Sequence, residues 1–293
     1  MKNKIGIVAN DAGGANIILA WIKSKRLKFN TYLSGPAEKI FSGYNNKSYK
    51  KNSLSELIKD SDLIITGSGW QSNLEYNAIK KAKLERKKVI TFLDGWTNYK
   101  ERFIRKSTII LPDEVWVQDK YAYKIAKEKL KKINKIKIVN NPYFKEIILK
   151  LKKSKKKKNS LLNILYVTEP INKKGKNNYK EFLPVRFFLK NIEKITNKRI
   201  NKISIRTHPA EKKDKYNFLI KEFKNLPIKI NMNKELYKDI LENNWVVGCN
   251  TTPMIVGLLS KKKVYSSIPP NFSETKFPLK GIIKIKNIIK KYK

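Results

Sequence analysis

The sequence predicts an α/β protein built from two halves, each a doubly wound parallel sheet. Three observations carry this. Short apolar runs alternate with longer stretches of helical period, the alternation halts at a Lys-rich run near the middle and then restarts, and a length of 293 residues suits one large or two ordinary domains.

In the first half, Lys4–Ala9 has the unbroken apolar character of a buried strand, and the turn Asn10-Asp11-Ala12-Gly13-Gly14 leads into a helix over Ala15–Ile22. Strands are expected at Phe29–Leu33 and Leu63–Thr66, then a helix from about Gln71 to Arg86 with Leu74, Ala78 and Ala82 on one face. A strand at Val89–Leu93, a strand at Glu114–Val117, a helix at about Tyr121–Lys132 and a strand at Ile136–Val139 complete this half. The run Lys150–Asn159 has no core-forming pattern and its like charges repel, so it reads as an exposed linker. The expected organisation is a domain at 1–149, a linker at 150–160 and a domain at 161–293.

The second half repeats the plan, with strands at Asn163–Val167, Lys202–Arg206, Ile228–Ile230, Trp245–Val247 and Lys263–Tyr265. Helices are expected around Tyr179–Thr196, Lys212–Phe223, Lys234–Glu242 and Pro253–Leu259, and the Lys/Ile-rich stretch 282–293 reads as a terminal amphipathic segment. Two Rossmann-like halves result. Open α/β sheets bind ligands beyond the carboxyl ends of their strands, so a central cleft faced by both sheets is the expected site.

Composition narrows the class. With 66 Lys+Arg against 24 Asp+Glu the formal charge is +42, but 41% hydrophobic residues and five Trp supply enough burial for a folded core. Only seven of the cationic residues are Arg, and Asn and Ile are abundant, which points to a compositional bias first, attraction to anionic membrane surfaces second and nucleic acid third. A single cysteine, Cys249, and a single histidine, His208, exclude a disulfide and any Cys- or His-rich metal site. No apolar run approaches the roughly 18–20 residues of a membrane helix, and Ile5–Ala9 is too short for a signal segment, so a cytoplasmic protein is expected, with peripheral contact at the inner face of the membrane.

Four strand-end loops carry chemistry. In Asn10–Asn16, Gly13 and Gly14 allow close backbone approach at a helix start, and Asp11 reads either as the cap or as a second candidate base. In Phe92-Leu93-Asp94-Gly95-Trp96, Asp94 is a carboxylate at a strand end beside Tyr99, Glu101, Arg102 and Phe103, suited to general-base work if desolvated, although Asp-Gly is also a common turn. In Arg206-Thr207-His208-Pro209, the proline keeps His208 extended so that its imidazole can reach a ligand. In Gly248–Pro253, Asn250, Thr251 and Thr252 precede Pro253, with Thr252 as the expected N-cap, and hydroxyls at a helix N-terminus suit a phosphate.

An acid-Gly pair (Asp94-Gly95), a His-Pro pair (His208-Pro209) and a hydroxyl pair some forty residues beyond (Thr251-Thr252) resemble, in order and placement, the three signatures of bacterial sialyltransferases with the GT-B fold. The resemblance spans most of the chain. It implies a GT-B-like fold, Asp94 as general base, His208 assisting the CMP phosphate, and Thr251 and Thr252 binding that phosphate, with Asn250 and Arg206 beside them. Two departures stand out: Leu93 occupies a position where an acid is common, and the pair is Thr-Thr in place of Ser-Ser. The implied donor is a CMP-sugar, the acceptor a surface glycan or glycolipid, and no metal or other cofactor is implied. In a CMP-sugar the leaving group is already a phosphate monoester, so one base and one phosphate site suffice.

Three rivals remain. One is a GT-B transferase using CMP-Kdo or a UDP-sugar. Another is a CDP-glycerol-type polyol-phosphate transferase, which would need a substitute for its second histidine. The third is a non-enzymatic basic protein on anionic lipid or nucleic acid, for which Asp94 would be dispensable.

Overall fold

The computed structural model describes residues 4–44, 49–69, 72–153, 161–170, 181–209, 211–212, 214–231, 235–273, 277 and 280–290. The chain divides into two compact units, Met1–Glu146 and Ile147–Lys293.

In the first unit β1 (Ile5–Ala9) leads into α1 (Ala12–Lys25) and β2 (Phe29–Leu33). Next come α2 (Pro36–Ser42), β3 (Tyr49–Lys50), α3 (Leu54–Lys59), β4 (Leu63–Thr66), α4 (Leu74–Leu84) and β5 (Lys88–Leu93). A 3₁₀ turn at Glu101–Phe103 precedes the small antiparallel hairpin of β6 (Ile104–Arg105) and β7 (Thr108–Ile109), after which β8 (Glu114–Val117), α5 (Lys120–Lys129) and β9 (Lys135–Ile138) close the unit. Its main sheet is parallel, in the order β3-β2-β1-β4-β5-β8-β9. Every residue of β1 and β8 is buried, and all of β5 except Lys88, as expected of strands covered on both faces. On one face Ile18 and Ile22 of α1 share a core with Phe92 and Trp116. The strand order reverses between β1 and β4, so the crevice of this sheet lies beyond Ala9 and Thr66.

The expected helix at Gln71–Arg86 is α4, Leu74–Leu84, and Gln71 lies outside the described residues. Its buried face is Glu75, Tyr76, Ala78, Ile79 and Ala82, rotated one position from the face that Leu74 would define. Among the described residues, the stretch Leu33–Ser53 holds α2 and β3, and Thr97–Ser107 holds the 3₁₀ turn and β6.

The Lys-rich run does not begin as a linker: Lys150–Lys153 form the last turn of α6 (Pro142–Lys153), and residues 154–160 lie outside the described residues. The spacing of Phe144, Ile147 and Leu151 explains this, because an apolar stripe carries the helix into the charges.

The second unit continues with β10 (Leu162–Val167), α7 (Leu183–Lys190), α8 (Ile192–Ile195), β11 (Ile200–Arg206), α9 (Phe218–Glu222) and β12 (Ile228–Asn231). It ends with α10 (Leu236–Glu242), β13 (Trp245–Gly248), α11 (Thr252–Leu259), β14 (Lys263–Ser266), β15 (Ile282–Lys284) and α12 (Ile285–Ile289). The sheet is again parallel, in the order β12-β11-β10-β13-β14-β15, with its reversal between β10 and β13.

Three expectations change here. The helix expected at Tyr179–Thr196 is split into α7 and α8 at Asn191, whose side chain bonds the Phe187 carbonyl at 2.8 Å and competes with the helical ladder; Tyr179 lies outside the described residues. The helix expected at Lys212–Phe223 contracts to α9, Lys213 lying outside the described residues, as does Lys234 ahead of α10. The segment expected to be a terminal amphipathic appendage instead supplies β15, paired with β14 through Val264–Ile282, Tyr265–Ile283 and Ser266–Lys284, and Ile285 is buried in the core beside it. Among the described residues no helix is long and apolar enough to cross a membrane.

Candidate functional site

In the first unit three carboxyl groups gather beyond β1, β4 and β5. Asp11 is the N-cap of α1 and its Oδ1 accepts from the Gly14 N–H at 2.9 Å. A Cβ on Gly13 would lie 1.8 Å from Asp94 Oδ2, and one on Gly14 would lie 2.9 Å from the Gly67 Cα, so both glycines are set by close approach. Asp94 directly follows β5. Arg102 Nη1 donates to Asp94 Oδ1 at 2.5 Å, to Ser68 Oγ at 2.7 Å and to the Ser68 carbonyl at 3.2 Å, tying the carboxylate to the turn after β4. Oδ2 is thereby left facing Gly13.

Glu75, on α4, is 2% exposed and its Oε1 accepts from the Asn10 N–H at 2.8 Å. Asp11 and Glu75 converge on Gly69, where a Cβ would meet Asp11 Oδ2 at 2.6 Å and Glu75 Oε1 at 3.0 Å. Burial, with the charge of Asp94 adding to it, pushes the Asp11 carboxyl up to about 6. Burial, with Asp11 adding, pushes Glu75 up to about 7. The cluster therefore holds and exchanges protons near neutrality. Among the described residues no group of three or more His, Cys, Asp or Glu side chains is arranged to hold a metal ion.

The aromatic residues after Asp94 form the floor of this loop and not the walls of a site. Tyr99 and Phe103 are 1% exposed, the Tyr99 hydroxyl donates to the Gly95 carbonyl at 2.6 Å, and Trp96 Nε1 donates to Asp119 Oδ2 at 2.8 Å. Gly13→Ala should therefore be costly, since the new methyl would strike a carboxylate that Arg102 holds in place. The expected loss is about 1–3 kcal/mol of unfolding free energy in a denaturant titration, and wild-type stability would show that the approach is looser than the geometry implies.

In the second unit His208 follows β11, and its backbone N–H donates to Thr168 Oγ1 at 2.9 Å and to Glu211 Oε2 at 3.1 Å. Burial holds the imidazole below its ordinary value, Glu211 raising it and Lys215 lowering it further, so His208 is neutral at pH 7. Arg206 is bound to Asp239 of α10, whose side chain is fully buried, so its charge is already met by an internal partner. Thr251, 7% exposed, is the N-cap of α11, a correction to the expectation that Thr252 caps it. Thr252 is the first helical residue, and the Thr251 side chain makes no cap bond. The Asn250 N–H donates to Glu169 Oε2 at 3.3 Å. In the first unit Asp11, Gly13, Gly14 and Asp94 meet in one cluster, while in the second Arg206 and His208 stand at the end of β11 and Asn250, Thr251 and Thr252 at the end of β13, the two strands that flank β10.

Several contributors escape sequence reading: Ser68, Glu75, Thr168 and Glu211, and the clamp role of Arg102. Two left a signal. Glu75 is a charge at helical spacing from the buried Ala78 and Ile79, and Glu211 lies three residues after His208, close enough to fold back on it.

No family model matches the chain, and no curated protein matches it in sequence. Solved structures do match. UDP-GlcNAc 2-epimerase from Neisseria meningitidis, bound to UDP-GlcNAc, overlays with a TM-score of 0.64 at 11% identity, over 99% of this chain and 90% of that one. A protein described as a UDP-N-acetylglucosamine 2-epimerase from Listeria monocytogenes overlays at 0.58 and 10% identity, over 91% and 79%. The wall teichoic acid polymerase TagF overlays at 0.50 and 12% identity, over 90% and 70%. At this identity the likeness is one of fold. The fold is that of the GT-B class, with two parallel-sheet Rossmann-like units.

Proposed function

We propose that this protein is an inverting glycosyltransferase that moves sialic acid or a related nonulosonic acid from a CMP-sugar to a glycan acceptor of the cell surface. The observation that carries the reading is Asp94 directly after β5, with Oδ1 fixed by Arg102 and Oδ2 beside Gly13. A carboxylate held in this way can take the proton of an acceptor hydroxyl without first being reoriented. On the donor side, neutral His208 offers a ring N–H to the phosphate, and Thr251 and Thr252 add hydroxyl and N–H donors at the start of α11, with the Asn250 side chain beside them. Arg206, paired with Asp239, supports the strand end. In-line displacement inverts the anomeric centre, and these donors stand in for a divalent cation. The lysine-rich surface would favour work at the inner face of the membrane, beside a lipid-borne acceptor.

The test is thermal stabilisation by nucleotides without added divalent metal. At equal concentration CMP and CDP should stabilise the protein more than UDP and GDP, the gain over the free protein reaching roughly 2.7 kcal/mol where CMP stands at about a hundred times its dissociation constant. The Neisseria protein was solved with UDP-GlcNAc, which makes UDP the decisive competitor. Equal responses to all four nucleotides, or an absolute need for Mg²⁺ or Mn²⁺, would remove the CMP-sugar assignment.

A further inference from the structure

Glu211 gathers four donors on one buried carboxylate. Its side chain is 2% exposed, and it accepts from the Thr168 hydroxyl, the His208 backbone N–H at 3.1 Å, the Tyr216 hydroxyl at 2.9 Å and the Lys215 ammonium at 2.5 Å. These donors come from separate stretches of chain: the residue after β10, the loop after β11, and the turn before α9. Lys215 is shared with Glu181, just ahead of α7. Burial alone would raise the Glu211 carboxyl, but the bonds from Lys215 and Thr168 outweigh it and lower its pKa, so it is an anion at neutral pH.

The strands β10 and β11 are already paired along their length, so joining them is not what this carboxylate adds. What the carboxylate adds lies beyond the strands, where the ladder has ended. There it fastens the His208 loop to Thr168, the residue that follows β10, a strand that borders the sheet's reversal point on its other side.

We propose that Glu211 is the positioning residue of His208, fixing the loop after β11 to the end of β10 so that the imidazole meets the donor phosphate at a set place. This rests on the reading of His208 as a phosphate contact. Two charges bear on the imidazole with opposite sign, Glu211 and Lys215, and Glu181 acts on it through Lys215, while Thr168 and Tyr216 are neutral partners of the same carboxylate.

The chain has a single histidine, so its imidazole can be followed by NMR without assignment ambiguity. Glu211→Gln should lower the His208 titration midpoint by about half a pH unit or more, because the anion that raises it is gone while Lys215 stays. It should also weaken CMP binding about tenfold by calorimetry, the loss of a well-placed hydrogen bond to a charged group. Thr168→Val cuts the tie to β10 and keeps both charges, so it should weaken CMP about fivefold while the midpoint stays within about 0.2 unit. Thr168→Val also keeps the proposal testable if Glu211→Gln does not fold. Unchanged CMP affinity in the folded variants, with only a lower melting temperature, would overturn the proposal. Failure of the function itself would look different: His208→Ala would leave CMP affinity unchanged, while the NMR titration still judges whether Glu211 governs the ring.

Discussion

Exchanging Asp94 for Asn is expected to lower turnover by about 10²–10⁴ while leaving CMP affinity within about threefold, the pattern of a lost general base. The amide fills the same space but has no charge with which to accept a proton. Arg102, 13% exposed at its side chain, would lose its carboxylate partner, so a stability loss of about 3 kcal/mol is expected as well, and turnover should be compared well below the melting transition. Asp11→Asn is the companion measurement. Asn caps a helix about as well as Asp, and it removes a carboxyl that burial penalises, so this variant should fold at least as well as wild type. A silent Asp94→Asn beside an inactive Asp11→Asn would transfer the base to the first loop and leave the two-unit fold and the phosphate site untouched.

Stability should fall as pH rises from about 4.5 to 7, and Glu75→Gln should abolish much of that fall. The ordinary values of Asp11 and Glu75 are 3.8 and 4.5, and in the folded chain they stand at about 6 and about 7. A carboxyl whose pKa is raised on folding binds its proton more tightly in the native state. Its contribution is complete below the unfolded value and is lost as pH climbs through the folded one. For Glu75 a rise of about 2.5 units corresponds to roughly 3 kcal/mol. Gln keeps an acceptor for the Asn10 N–H and carries no charge to desolvate, so the variant should be the more stable protein at pH 8 and little changed at pH 4. Urea unfolding at pH 4, 5, 7 and 8 measures the difference, and titrating groups away from the Asp11–Glu75 cluster cancel between the two proteins. Parallel pH profiles for wild type and Glu75→Gln would show that Glu75 is not buried as an acid.

Buried parallel strands were the easiest features to read, because a run such as Ile5–Ala9 must be apolar on both faces, and its ends are marked by polar turns. Placing Asp94, His208 and Thr251 beyond strand ends needed no more than that alternation. Short edge pieces were illegible: β3 has two residues and β15 three, too few for a period to show. The extent of α6 was hidden by lysines that its apolar stripe tolerates. Side-chain partners were the least accessible. That Arg102 would reach Ser68, or that Arg206 would be spent on Asp239, depends on residues 34 and 33 positions apart meeting in space, which no local pattern encodes. The Thr-Thr cap was misplaced by one residue because Pro253 can stand at the first or second helical position, and here it stands at the second.

The pairing of β15 with β14 also bears on how this chain behaves when it is shortened. Val264, Tyr265 and Ser266 are buried, and their outer backbone groups are covered by Ile282–Lys284. A deletion that trims the lysine-rich tail ahead of Ile282 would turn an interior strand into an open, apolar edge, the kind of template on which copies of a protein stack into aggregates. The same few residues bring Lys284 to the present edge, and a charged, three-residue border strand is a poor template. What the composition presents as a dispensable basic tail is, at this point of the sheet, its guard against self-association.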